Sequence, residues 1–138
     1  MGINFIDAGL AESARQVVKT YIAGGTIVAG TLVKLDGTAT KTDRAITVLA
    51  GTALGTVVGV ALEAASDGER VRVAVKGYVA DVLTDNSLTE GAAFGCSAAA
   101  LATIYAGSEA FQPVGVALAA DTGTDPYYCD VYLFGLFA

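Results

Sequence analysis

The chain has 138 residues, a net charge of −6 at pH 7 and no histidine. With 54% hydrophobic and 16% charged residues, it is long and apolar enough to bury a core unaided, and too apolar for a disordered chain. The acidic balance argues against a nucleic-acid partner, which calls for a basic surface. The absence of histidine removes the commonest general base and metal ligand.

Residues 1–14 carry no basic residue and no long apolar run, so they do not read as a secretory leader. Gly2 is followed at position 6 by Ile6, where a myristoylation motif needs Ser or Thr. Ile6, Leu10, Ala14, Val17, Val18, Tyr21 and Ile22 fit a helical stripe, but Gln16–Ile22 also alternates as a strand does. The reading adopted is an extended arm over 1–14 and a first strand over 16–22, broken by Gly24-Gly25. Short strands follow after Gly30 and over Ala45–Leu49.

Residues 45–62 hold no charge, which meets the length of a membrane helix, and Gly51, Gly55 and Gly59 have the spacing of close helix contacts. The β-branched content of Val57-Val58-Gly59-Val60 and the missing aromatic and basic flanks argue for a strand instead, with no membrane partner. Part of the run also recurs. Val58-Gly59-Val60-Ala61-Leu62 returns as Val114-Gly115-Val116-Ala117-Leu118. After the first copy come the turn Asp67-Gly68 and the alternating Val71, Val73 and Val75; after the second come Asp121–Pro126 and Tyr128–Leu133. Each copy reads as strand, turn, strand. Residues 78–90 connect the two units, which span about 30–77 and 91–135. The expectation is one all-β domain over 15–138, a small β-barrel or sandwich of two related strand-turn-strand units, because neither unit can bury its apolar face alone.

No constellation for chemistry emerges. Without histidine there is no Ser-His-Asp triad or Cys-His pair, and Cys96 with Cys129 cannot build the usual zinc site. Those cysteines read as small buried hydrophobes, with one disulfide left open. Asp85–Glu90 and Asp121–Asp125 lack the ligand ladder of a calcium loop and read as polar turns. The chain is expected to be no enzyme and to hold no cofactor and no metal.

Two surface features stand out. Arg70, Arg72 and Lys76 fall on the outward side of one strand, either as a docking stripe or as a solvated face. Of 11 aromatic residues, five lie in the last twelve positions, and Val131–Ala138 carries no charge. A strand apolar on both faces is central in a sheet or buried against another chain. That makes Tyr128, Tyr132, Phe134, Leu136 and Phe137 candidates for an oligomer interface.

Tyr21–Gly25 leading into Ala29–Lys34, then Val58–Ala65, Gly68–Gly77 and Val114–Leu118, in that order, resemble the small bacteriophage capsid decoration (cement) proteins. The likeness runs over roughly residues 16–133 and leaves out 1–14. It implies a β-rich structural virion protein, made in the host cytoplasm, that binds the outside of an assembled head. There it would act as a homotrimer clamping neighbouring subunits of the major capsid protein. Arm residues Ile3, Phe5 and Ile6, with Arg70, Arg72 and Lys76, are then the candidate capsid contacts. The competing expectation is a β-barrel module that binds a small ligand or a carbohydrate, without catalysis.

Overall fold

The computed structural model describes residues 16–35, 47–50, 57–97, 99–105 and 113–135. The predicted arm over 1–14, with Ile3, Phe5 and Ile6, lies outside them, as do Leu136 and Phe137. The described residues form nine strands and no helix: β1 (Val17–Ala23), β2 (Leu32–Leu35), β3 (Thr47–Ala50), β4 (Val57–Ala61), β5 (Arg70–Thr84), β6 (Ala93–Cys96), β7 (Ala102–Ile104), β8 (Gly115–Ala117) and β9 (Tyr127–Leu133).

The sheet closes on itself, as a barrel does and an open sandwich does not. Its strand order is β1-β3-β2-β4-β5-β7-β6-β8-β9, and the extra pairings β1–β5 and β5–β9 close two rings of five. The first ring uses residues 70–76 of β5 and the second uses 77–84, so one 15-residue strand serves both. Closure removes the exposed strand edges that invite aggregation.

The two rings are built alike. β1 runs parallel to β3 and antiparallel to β5; the second half of β5 runs parallel to β7 and antiparallel to β9. In the first ring the N–H of Gly30 donates to the Ala61 carbonyl at 2.8 Å, and Ala61 N–H donates to Thr31 O at 2.9 Å. In the second, Gly91 donates to Ala117 O and Ala117 to Ala92 O, both at 2.8 Å. Gly30 and Gly91 sit at φ +86° and +83°, where a side chain would be strained. Leu62 N–H reaches Arg72 O at 2.9 Å just as Leu118 N–H reaches Asp130 O at 2.8 Å.

Packing explains the apolar character of β4. One core, inside the first ring, holds Tyr21, Ile27, Val33, Val58, Val71, Val73 and Val75. The other holds Val82, Leu88, Phe94, Val131 and Leu133 of the second ring together with Leu32, Val57, Val60 and Ala74 of the first. Strand β4 is therefore buried along its whole length, with Val58 in one core and Val57 and Val60 in the other. A strand covered on both faces has no need to alternate. No helix among the described residues is long and apolar enough to cross a membrane.

Candidate interaction surface

Both ring interiors are filled with apolar side chains. Between the rings runs an open groove of about 590 Å³, lined by Ala29, Gly30, Val60, Leu62, Asp81 and Tyr128 among others. No group of three or more His, Cys, Asp or Glu able to hold a metal occurs among the described residues. What the fold offers instead is outward-facing sheet.

Just inside the second ring, strand β5 carries a bulge. Its register against β9 shifts between Val79 and Val82, and Asp81 takes φ +58°. Asp130 of β9 clamps this irregularity. Its carboxylate accepts the Tyr78 hydroxyl at 3.0 Å and the Asp81 N–H at 3.2 Å. The Tyr78 hydroxyl is pushed above its usual pKa, chiefly because it donates to that carboxylate, with added desolvation and the negative charges of Asp130 and Asp81.

Of the residues singled out in the sequence, Arg70, Arg72 and Lys76 do share one side of β5 and are exposed. The stripe is not continuous, however. Ala74 stands between Arg72 and Lys76, is fully buried and packs in the core of the second ring. Arg72 is also engaged at home. Its guanidinium lies 3.3 Å from the Glu63 carboxylate, which also accepts the Arg72 backbone N–H at 3.0 Å. These bonds, the backbone one foremost, hold the Glu63 carboxyl below its usual range. Lys76 lies against the chain just past β9: a Cβ on Gly135 would come within 2.9 Å of the Lys76 stem.

In β9 the sides separate as alternation predicts. Cys129, Val131 and Leu133 face the core, whereas Tyr128 and Tyr132 are half-buried and Phe134, just past the strand, is exposed. Tyr128 borders the groove between the rings. Tyr132 lies opposite Tyr78 on one side and Val116 on the other. The sequence did not flag Tyr78, Val116 or Leu118 as surface residues. Val116 and Leu118 are identical to their counterparts Val60 and Leu62, so nothing local tells the covered copy from the uncovered one.

Both cysteines are free thiols. Cys129 is buried and donates to the Ala119 carbonyl at 3.0 Å; burial is the main cause pushing its pKa up. A thiol that is both covered and reluctant to ionise reacts slowly. A thiol-disulfide reagent at mild alkaline pH should therefore label half-buried Cys96 first and Cys129 only as the protein unfolds. Equal rates for both sites in the native protein would contradict the placement of Cys129.

The fold and surfaces thus define a tandem β-barrel protein. No protein-family model and no curated protein matches the chain. Among solved structures it is similar to the N base of the head fiber gp8.5 in bacteriophage phi29. The match has a TM-score of 0.61 and 16% sequence identity, and covers 86% of this chain and 94% of that one. At that identity the likeness is one of fold.

Proposed function

We propose that this chain is a structural protein of a phage virion that sits on the outside of the head and stabilises it without catalysis or cofactor. The observation that carries this reading is the shared fold with the head-fiber base, which spans nearly the whole of both chains. The order of strands and small residues that resembles capsid decoration proteins points the same way.

In this reading the protein acts as a homotrimer that clamps neighbouring major capsid protein subunits. Three linked contacts raise avidity by about 10²–10⁴ over a single one without any new contact type. Ile3, Phe5 and Ile6 serve as arm anchors, adding a strand to an exposed sheet edge of the shell. Exposed Lys76 supplies charge to the contact, whereas Arg72 must first leave Glu63. Tyr128, Tyr132, Phe134, Leu136 and Phe137 belong to the contact between copies.

Quantitative mass spectrometry of purified particles from the source virus tests the proposal. The expected copy number approaches that of the main shell protein, or a fixed simple fraction of it. Absence from the particle overturns the virion reading in favour of a ligand- or carbohydrate-binding module, with the groove between the rings as the place to look.

A further inference from the structure

The way the two rings meet predicts how two molecules meet. On the outside of the first ring, Leu32, Val60 and Ala74 lie directly opposite one another across β2, β4 and β5 and so share one face. All three are fully buried, because the second ring packs on them. Leu62 packs against the same core.

The second ring carries the equivalent row. Ala93 opposes Val116, Val116 opposes Tyr132, and Tyr132 opposes Tyr78. Leu118 follows Val116 as Leu62 follows Val60. Here no described strand lies on top. Ala93, Val116 and Tyr132 are half-buried, and Leu118 and Tyr78 are 42% and 43% exposed. The face that one ring offers to its sibling is thus present a second time, still apolar, and turned outward.

We infer that this face takes the first ring of a second copy of the chain, repeating between molecules the packing that joins the rings within one. Charge supports this occupant. At the internal junction Ala29 shares the groove with Val79 and Tyr128. Their counterparts are read from the pairing. Glu90 precedes Gly91 as Ala29 precedes Gly30. Lys19 opposes Val73 as Val79 opposes Val131, and Arg70 opposes Ile22 as Tyr128 opposes Leu83. Carrying the internal packing across to a second copy therefore puts Glu90 on one groove with Lys19 and Arg70 of that copy. All three are exposed in the single chain. In a protein of net charge −6, an acidic rim meeting a basic one also offsets the repulsion between copies. The contact is heterologous, one patch meeting a different patch, and closes as a ring when the rotation permits.

The inference deepens the proposed homotrimer, but its test needs no virus particle, so the two can fail separately. Sedimentation equilibrium of the full chain should show reversible self-association. Arg70→Glu, at an exposed site, should weaken it about tenfold or more while leaving the thermal midpoint unchanged. Adding Glu90→Arg to the same chain should restore it, because the reversed pair meets again between copies. A wild-type chain that stays monomeric at its highest soluble concentration overturns the inference while leaving shell attachment open. So does association that Arg70→Glu leaves intact, or that the double reversal fails to rescue.

Discussion

Replacing Gly59 or Gly115 with alanine should destabilise the protein by about 3 kcal/mol or more, the top of the range for overpacking. The two glycines are equivalent, in β4 and just inside β8, and both approach a neighbouring backbone more closely than any side chain allows. A Cβ on Gly59 would stand 2.0 Å from the Ala74 carbonyl oxygen and 2.9 Å from its carbon. On Gly115 it would stand 2.3 Å from the Tyr132 oxygen and 2.9 Å from the Phe94 ring. The Phe94 ring can turn; a carbonyl cannot move without breaking the pairing of Val60 with Ala74, or of Val116 with Tyr132. Thermal unfolding followed by circular dichroism should place each variant about 10 °C or more below wild type. Gly123→Ala is the control: nothing lies within 4 Å of its Cβ position, and its φ is not in the left-handed region. A Gly59→Ala protein within about 1 kcal/mol of wild type would show that β4 and β5 lie farther apart than described.

The same glycines show what was legible in the sequence. Their recurrence in Val58–Leu62 and Val114–Leu118 marked two related units, and the alternation of Val71, Val73 and Val75 marked a strand with one buried side. Those signals are local, and they gave the all-β class and most strand positions. The sharing of β5 was not local. By sequence Gly77 marks a boundary between a strand and a connecting segment, whereas the chain passes through it buried, at φ +92°, and continues to Thr84. The stripe of Arg70, Arg72 and Lys76 had the right period, but burial of Ala74 depends on the second ring lying over it, which no periodicity reports. Likewise β4 is buried on both faces, and nothing in its own residues names what covers it. Period reports which residues share a face; contact between units decides what that face meets.

By sequence Asp121 belongs to a polar turn, yet its replacement should be costly. In the first ring, the segment after β1 is tied to the one after β4 by two backbone bonds: Ile27 N–H to Ala65 O at 2.8 Å and Ala65 N–H to Ile27 O at 3.0 Å. At the matching place in the second ring the chains stand farther apart, and Asp121 N–H reaches Leu88 O only at 3.4 Å. The Asp121 carboxylate spans the gap. One oxygen accepts the Leu88 N–H at 2.8 Å, and the other accepts the hydroxyl of Thr84, a buried side chain, at 2.6 Å. Asp121→Ala leaves a buried hydroxyl and a part-buried N–H without their acceptor, at about 1–3 kcal/mol each. The expected loss is about 3 kcal/mol, seen in urea unfolding as a lower midpoint with an unchanged slope. Asp121→Asn should lose less, about 1 kcal/mol, since its carbonyl oxygen still takes the Leu88 N–H while its amide donates to a rotated Thr84 hydroxyl. The order wild type, Asn, Ala is the signature of a strut that works by accepting hydrogen bonds. An Ala variant as stable as wild type would mean that the second ring holds its turn by packing around Leu88 alone.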